Sequence, residues 1–325
     1  MTFNETLRAA SVAVALLWSG SALAQTTLTV GFIASPQSPE AAGMRTLAEE
    51  VARTTDGRVV LNLQGGGALG GDRELLEGVQ LGTIDMTISS TSVIANFVPA
   101  LTIFDVPFLF RDFEQAMGVL SGPVGDEALD AMTQSGMTGL AMGGLGFRHL
   151  TNSIRPVTSV ADAASLKIRT QQNAMHIDAW RELGALPTPM SITEVYTALQ
   201  QGVIDGQENP ISAIINNRFG EVQKHLSLTS HAFTPLAIVV SPGTFASLSE
   251  EDQAALQAAA RNAMIVVREE VEKTEQNGLE TLRGQGVTIV EDVDAASFTA
   301  KLEPLFAKFA EQFGEERINA IRNHQ

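Results

Sequence analysis

The sequence predicts an α/β protein with two lobes. Short β-like runs alternate with helical segments from residue 26 onward, as in folds that pack helices against a mainly parallel sheet. The chain has 325 residues, which is long enough for two such lobes. A helical pattern also runs from Ser249 to Arg283 without a proline. At 1.5 Å per residue this helix is roughly 50 Å long, so we expect it to brace both lobes.

The first elements indicate a β-α-β unit. Residues 26–33 alternate in the manner of a strand, and residues 58–63 indicate a second strand. Between them, Met44, Leu47 and Val51 share one face of a predicted helix. Because a helical crossover joins parallel strands, we expect the two strands to be parallel.

Three polar residues lie where predicted strands end. Ser35 follows the first strand, Asp72 begins the helix after the second strand, and Ser90 ends the third strand, IDMTISS. In open α/β sheets, ligands bind beyond the carboxyl ends of the strands. For each residue alone, a helix cap or a turn is the alternative role.

A glycine-rich loop follows the second strand. Gly65, Gly67 and Gly70 have the spacing of a dinucleotide fingerprint, but they do not follow the first strand, and no Gly-Lys-Ser/Thr comes after them. We interpret the loop as a segment whose backbone approaches another group closely, with nucleotide binding as the alternative.

The second lobe is predicted to begin near residues 143–147, at the end of the β-like segment MTGLAMGGLGF. Strands and helices then alternate: strands near residues 148–151, 166–169 and 186–190, and helices near residues 174–183 and 192–201. A further β-like run, VIDGQ, residues 203–207, is predicted to enter a polar turn, DGQENP, residues 205–210. The apolar run TPLAIVVS is typical of a central parallel strand. A last strand, GVTIV, and an amphipathic helix close the chain.

Composition argues against several classes of function. The formal net charge of −16 argues against nucleic acid or an anionic membrane surface as a partner. The chain has no cysteine, which excludes disulfides and thiol catalysis. The five histidines lack the spacing of a metal site, and no G-x-S-x-G motif is present. The sequence therefore predicts neither an enzyme nor a bound cofactor or metal.

The amino terminus is predicted to be a signal peptide, residues 1–24. Arg8 precedes an apolar run that is too short to span a membrane, and Ala22-Leu23-Ala24 fits the pattern of a cleavage site. The alternative is a first helix of the fold. An exported mature chain would begin near Gln25.

Two arginines form a candidate anion site. Arg148 and Arg169 each lie at the edge of a short β-like run. An arginine pairs with a carboxylate through two parallel hydrogen bonds, which a lysine cannot do. For Arg169 alone, a surface position is the alternative. The residues by themselves thus indicate an exported two-lobed α/β protein with a candidate anion cleft.

The sequence also resembles the extracytoplasmic solute-binding proteins of tripartite ATP-independent periplasmic (TRAP) transporters. The matching blocks include GGALGGDRELLEGVQLGTIDM, GFRHLTN, LKIRT, TEVYTALQQGVIDGQENP and EVQKHL, and the likeness covers nearly all of the mature chain. The resemblance implies a two-lobed periplasmic-binding-protein-like fold with hinge strands. Lobe I is expected to comprise residues 25–146 plus about 235–274, and lobe II about 147–234 plus 275–325.

The resemblance further implies a ligand site. Arg169 is expected to bind the ligand carboxylate, Arg148 to support it, and Asn209 to reach the ligand. Alignment adds the contacts Asp72, Ser90, Gln172 and Ile192. Some relatives have an acidic residue in place of Ser90 and an aromatic residue in place of Ile192. The resemblance therefore does not determine the chemistry of the end of the ligand that lies far from the carboxylate.

The implied function is transport. A periplasmic monomer would capture a small organic acid, either a C4-dicarboxylate or a sugar acid, and deliver it to a TRAP membrane permease. The alternative is a ligand-sensing partner of a membrane signalling protein, which a neighbouring sensor gene would favour. An enzyme would instead turn over the bound acid. The identity of the acid, and whether a metal ion accompanies it, stay open.

Overall fold

The computed structural model describes residues 25–324. The predicted signal peptide, residues 1–24, lies outside the described residues. Within the described range, no helix combines the length and the apolar composition needed to cross a membrane.

The strands of the described chain form one mixed sheet. In chain order they are β1 Thr26–Gly31, β2 Val59–Gln64, β3 Met86–Ser90, β4 Thr138–Asn152, β5 Lys167–Thr170, β6 Leu186–Pro189, β7 Gly206–Asn209, β8 His225–Val240 and β9 Thr288–Val290. Across the sheet the order is β2-β1-β3-β8-β4-β7-β5-β6, and β9 pairs with β8. Strand β1 is parallel to β2, so the predicted β-α-β unit is confirmed.

Helices connect most of these strands. In chain order they are α1 Pro39–Thr54, α2 Asp72–Leu81, α3 Thr91–Ile94, α4 Phe113–Leu120, α5 Pro123–Gln134, α6 Val160–Ala163, α7 Ala174–Glu182, α8 Ile192–Gln200, α9 Ile211–Asn216, α10 Pro242–Ser247, α11 Glu250–Gly284, α12 Ala295–Phe313 and α13 Glu315–Arg322. Short 3₁₀ helices cover Pro99–Asp105 and Phe219–Glu221.

Helix α1 shows how local sequence determines an element. Ser38 caps its amino end, because the Ser38 side chain accepts a hydrogen bond from the Ala41 amide at 3.1 Å. Met44, Leu47 and Val51 are fully buried, as their shared face predicts. The helix therefore packs against one side of the first parallel strands.

The long strands β4 and β8 join two halves of the sheet. We define the first half as residues 25–137, which contain β1–β3, and the second half as residues 153–224, which contain β5–β7. Strand β8 pairs with β3 near one end and with β9 near the other, and β4 pairs with β8 along most of its length. The segment that joins the halves includes residues 143–147, where the sequence predicts the first crossing.

The predicted direction of one strand is wrong. The run TPLAIVVS is the end of β8, which is antiparallel to both β3 and β4. A strand that is buried on both faces has the same apolar composition in either direction, so the pattern could not determine it. The segment predicted as a separate strand near residues 148–151 is the continuation of β4.

The predicted polar turn is also wrong, because the strand predicted within residues 203–207 begins at Gly206 and continues through the turn segment. Gly206–Asn209 form β7, and all four residues are buried, because β4 and β5 flank β7 on its two edges. Gly206 allows this pairing, since a Cβ atom there would lie 2.1 Å from the Thr151 carbonyl oxygen. Polar side chains thus enter the interior at the centre of the sheet.

Helix α11 is the predicted bracing helix. Ser249 caps it, with the Ser249 Oγ accepting a hydrogen bond from the Asp252 amide at 3.1 Å. Its 35 residues contact α1 of the first half, the connecting strand β4, and α9 of the second half. The helix therefore supports both halves from one side.

Apolar packing is continuous between the halves. A single cluster of buried side chains includes Val79 and Leu101 from the first half and Ile168 and Trp180 from the second. Helix α12 contacts α7 of the second half, whereas in α13 the Ile321 carbonyl accepts a hydrogen bond from Gln115 of α4.

Candidate ligand-binding site

A cavity of about 80 Å³ lies between the two halves of the sheet. All seven predicted site residues line it: Arg169, Arg148, Asn209, Asp72, Ser90, Gln172 and Ile192. The tertiary structure therefore brings together side chains from both halves and from the connecting strand β4.

Arg169 provides a buried donor that has no acceptor. Its guanidinium lies at the end of β5 and is 3% exposed. The Nε and Nη2 atoms donate to the Met190 carbonyl at 3.0 and 2.7 Å, whereas Nη1 is buried and has no partner among the described residues. Burial lowers the pKa of Arg169 to about 10, so the group remains a cation at neutral pH.

Arg148 differs from Arg169 because its charge is already paired. It is 1% exposed, and its Nε atom lies 2.5 Å from the Glu208 Oε2 atom. Its Nη1 atom donates to Thr234 Oγ1 at 2.9 Å, and Nη2 donates to Asn209 Oδ1 at 3.2 Å. Arg148 thus lines the cavity as part of a buried network that positions Asn209.

Asn209 is held from both sides by its neighbours. Its Oδ1 accepts the bond from Arg148, and its Nδ2 donates to Gln207 Oε1 at 2.5 Å. Because both ends of the amide already have a partner, the orientation of Asn209 at the cavity wall is determined by the protein itself.

Glu208 connects Arg148 to two histidines. The His231 Nε2 atom lies 3.0 Å from the Glu208 Oε2 atom, and His176 Nδ1 lies 3.9 Å from Oε1. Burial opposes ionisation, but Arg148 and the histidines hold the pKa of Glu208 well below its usual range. The network therefore keeps a carboxylate directly behind the arginines.

His176 also contacts the first half. Its Nε2 atom lies 3.3 Å from Asp105 Oδ1. Burial lowers the pKa of His176, but Asp105 and Glu208 outweigh that effect and raise it to about 9. The adjacent Asn173 donates to the Asp105 Oδ2 atom and the Ser92 carbonyl, both at 2.8 Å. These contacts connect α7 to the first half behind the cavity.

The wall contributed by the first half is acidic. Asp72 lies at the start of α2, and its Oδ1 atom accepts a hydrogen bond from Ser89 Oγ at 2.7 Å. Burial raises the pKa of Asp72 to about 6, although Ser89 and Arg169 oppose the shift. Glu40, near the start of α1, lines the same cavity, and burial raises its pKa as well.

Ser90 and Gln172 lie where the halves meet. Ser90 Oγ accepts a hydrogen bond from Gln171 Nε2 at 2.8 Å, and the Gln172 carbonyl accepts one from Asn96 Nδ2 at 2.8 Å. Gln171 is 8% exposed, and its Oε1 atom has no partner within residues 25–324. Ile192 begins α8 and is half-buried at the cavity edge.

The glycine-rich loop approaches the second half closely. A Cβ atom on Gly67 would lie 2.9 Å from Thr193 Cγ2, and one on Gly71 would lie 2.6 Å from Ser191 Oγ. This proximity agrees with our interpretation of the loop as a point of close backbone approach. The loop and the residues before α8 therefore meet next to the cavity, of which Ser191 is a lining residue.

Sequence reasoning missed three important residues. Glu208 lies in the segment predicted to be a turn, and only its burial between two strands indicates its role. Gln171 adjoins Gln172, but the sequence does not indicate which amide faces the cavity. Glu40 follows a proline at a helix start, where an acidic residue is common. Across residues 25–324, no group of three or more His, Cys, Asp or Glu side chains has an arrangement that could hold a metal ion.

Comparison with known proteins identifies relatives over nearly the whole chain. A family model described as bacterial extracellular solute-binding protein, family 7, matches residues 30–312. A solute-binding protein of Verminephrobacter eiseniae is 42% identical over 305 residues, which make up 94% of this chain and 91% of that protein.

Two solved structures extend the similarity to the fold. A TRAP periplasmic solute-binding protein from Polaromonas sp. JS666, bound to D-erythronate, has a TM-score of 0.91 and 44% identity, covering 93% of this chain and 99% of that one. The sugar acid-binding protein of Advenella mimigardefordensis, in complex with galactonate, has a TM-score of 0.88 and 31% identity, covering 92% and 97%. The predicted two-lobed α/β fold is confirmed, and the chain belongs to the bacterial extracellular solute-binding protein family 7.

Proposed function

We propose that this protein is the extracytoplasmic receptor of a TRAP transporter. It captures a small organic acid, a C4-dicarboxylate or a sugar acid, and delivers it to the membrane permease. Support comes from its family and from relatives whose structures contain D-erythronate and galactonate. The predicted signal peptide, residues 1–24, directs the chain to the periplasm in this proposal.

The Nη1 atom of Arg169 is the observation that carries the proposal. A buried cationic donor without an acceptor is costly unless a ligand satisfies it, and a carboxylate is the acceptor that matches an arginine fork. In this role Arg169 binds the ligand carboxylate, while Arg148 and Asn209 form the wall beside it. Asp72, Ser90, Gln172 and Ile192 then contact the rest of the acid.

The arginine alone does not account for useful affinity. A hydrogen bond to a charged group contributes about 1.5–3 kcal/mol, whereas micromolar binding requires roughly 8 kcal/mol. In this proposal, contacts between the two halves supply the remainder, since hydrogen bonds such as the one from Gln171 to Ser90 join the two halves beside the cavity. Closure around the acid also provides a shape that a permease can recognise.

The proposal includes three further expectations. The lobes comprise residues 25–146 plus about 235–274, and about 147–234 plus 275–325, with α13 also touching α4. The receptor is a monomer, which light scattering on the purified chain tests. The bound acid is not turned over, so mass spectrometry after incubation should recover it unchanged.

Substitution of Arg169 tests the proposal. Calorimetric titration of residues 25–325 with a panel of organic acids, including D-erythronate and succinate, should detect binding of at least one acid. Arg169→Ala should abolish that binding. The matched control is Arg181→Ala, which removes an exposed arginine on α7 whose ion-pair partner is Asp178. Retained micromolar affinity in Arg169→Ala, or no binding by any acid, would contradict the proposal.

A further inference from the structure

The cavity is electrically polarised. On the side of the second half lies Arg169, whose Nη1 atom has no acceptor within the described chain. The charge of Arg148 is compensated by Glu208. On the side of the first half lie the carboxyl groups of Asp72 and Glu40, which we call the acidic wall. Within the described residues, the cavity therefore places a cation with a free hydrogen-bond donor opposite two carboxyl groups.

The groups near the acidic wall that are available to a ligand are acceptors. Ser89 donates a hydrogen bond to Oδ1 of Asp72, which leaves Oδ2 of the same carboxyl group available at the cavity wall. The Oε1 atom of Gln171 is buried and also lacks a donor in the described chain. Its Nε2 atom already donates a hydrogen bond to Ser90 Oγ of the first half. This bond determines the orientation of the Gln171 amide. This part of the cavity thus requires hydrogen-bond donors from a ligand.

The ligand must therefore present an acceptor to Arg169 and hydrogen-bond donors to Asp72 and Gln171. A carboxylate only accepts hydrogen bonds, so it satisfies Arg169 but neither Asp72 nor Gln171. A hydroxyl group donates one hydrogen bond and suits both acceptors. A second carboxylate at the acidic wall would leave the Gln171 acceptor unsatisfied and would place like charges together.

We infer that the ligand is a monocarboxylate that carries hydroxyl groups, and that Asp72 and Gln171 select it against dicarboxylates. This inference rests on the proposed receptor function and narrows its substrate class. The carboxylate binds Arg169, and hydroxyl groups farther along the carbon chain donate to Asp72 Oδ2 and Gln171 Oε1.

The expected selectivity is large. Sites built to hydrogen-bond a hydroxyl group reject analogues that lack it by up to roughly 10⁴–10⁵-fold, because buried polar groups are then left unpaired. We expect D-erythronate to bind at least about 100-fold more tightly than succinate, which has the same number of carbons but no hydroxyl group.

The test is calorimetric titration of residues 25–325 at pH 8, where Asp72, with a pKa of about 6, is ionised. The hydroxy monocarboxylates are D-erythronate, L-threonate and galactonate, and the dicarboxylates are succinate, fumarate and L-malate. In Asp72→Asn, which keeps the size of the side chain and an acceptor for Ser89, D-erythronate should bind more weakly and succinate more tightly. The preference should fall by at least tenfold.

Two further variants make the result specific. Gln171→Leu should weaken D-erythronate without improving succinate, because it removes an acceptor and leaves the acidic wall intact. Glu77→Gln, on the same helix as Asp72 but in an exposed ion pair with Arg73, should leave the preference unchanged. Thermal melts of each variant confirm that it is folded, and if Asp72→Asn is not, Gln171→Leu still tests the selectivity.

The outcomes distinguish this inference from the receptor function. Binding of dicarboxylates with equal or higher affinity than the hydroxy acids would overturn the inference, while loss of that binding in Arg169→Ala would leave the receptor function standing. If Asp72→Asn is folded and keeps the original preference, the role of Asp72 is overturned. Failure of every hydroxy monocarboxylate to bind would also overturn the inference.

Discussion

Arg148 and Glu208 form an ion pair at the centre of the sheet, with 2.5 Å between Nε and Oε2 and side chains that are 1% and 0% exposed. The two residues are 60 positions apart in the chain and lie on the adjacent antiparallel strands β4 and β7. The pair separates the roles of two arginines that look alike in the sequence. The charge of Arg148 is paired with Glu208, whereas the Nη1 donor of Arg169 has no acceptor within the described residues.

Removal of the Glu208 charge should destabilise the protein. Glu208→Gln keeps the size of the side chain but leaves Arg148 and His176 as buried cations with less compensation. Loss of one partner of a buried ion pair costs about 3–5 kcal/mol, so chemical denaturation should show a decrease of that order in the free energy of unfolding. Glu77→Gln, which removes half of an exposed pair, should change it by less than about 1 kcal/mol. Equal stability of both variants would contradict the role given to this pair.

The hydrogen bonds of Asn173 should contribute to ligand affinity. Asn173→Asp keeps the cap of α7, because a carboxylate oxygen also accepts from the amides of Met175 and His176. It removes both donated bonds to the first half and places a second carboxylate beside Asp105. With about 1 kcal/mol for each lost bond, the affinity should fall roughly 10- to 100-fold.

Calorimetric titration with the acid that binds the parent protein measures this loss. Small-angle X-ray scattering of the same samples should give a larger radius of gyration for Asn173→Asp, since its two halves are held together less firmly. Asn277→Asp, on the exposed face of α11, is the matched control. Unchanged affinity together with an unchanged radius would show that these bonds do not hold the cavity closed.

His176 should make stability depend on pH above neutrality. Asp105 and Glu208 outweigh burial and raise its pKa from 6.5 to about 9. Because the folded-state value is higher, the stabilisation by His176 is complete below about pH 6.5 and is lost as the pH rises through about 9. The shift corresponds to at most about 3 kcal/mol in the free energy of unfolding.

Comparison with His176→Gln isolates this contribution. Thermal melts of the parent protein between pH 6.5 and 9 should show decreasing stability, and the variant should show a smaller slope. Glu275, with a pKa raised by burial to about 7, also titrates in this range, but it is present in both proteins. The pKa values of His149 and His231 are lowered instead, so these two groups titrate at more acidic pH. Parallel slopes for the two proteins would contradict the charge assigned to His176.

The sequence by itself determined the order of the elements. Met44, Leu47 and Val51 mark the buried face of α1, and Ser249 marks the start of α11, because periodicity and capping depend on residues close together in the chain. The resemblance to the TRAP solute-binding proteins likewise pointed to seven residues that line one cavity.

Only the tertiary structure decided which charges are compensated. The antiparallel direction of β8, the burial of Glu208 and the open acceptor of Gln171 depend on strands and halves that are distant in sequence. An apolar strand has the same composition in either direction, and a short polar segment has the same composition in a turn or in a buried strand. Pairing and burial differ between these cases because they arise from contacts between distant parts of the chain. They distinguish Arg169, for which we propose a ligand-binding role, from Arg148, whose charge is paired within the protein.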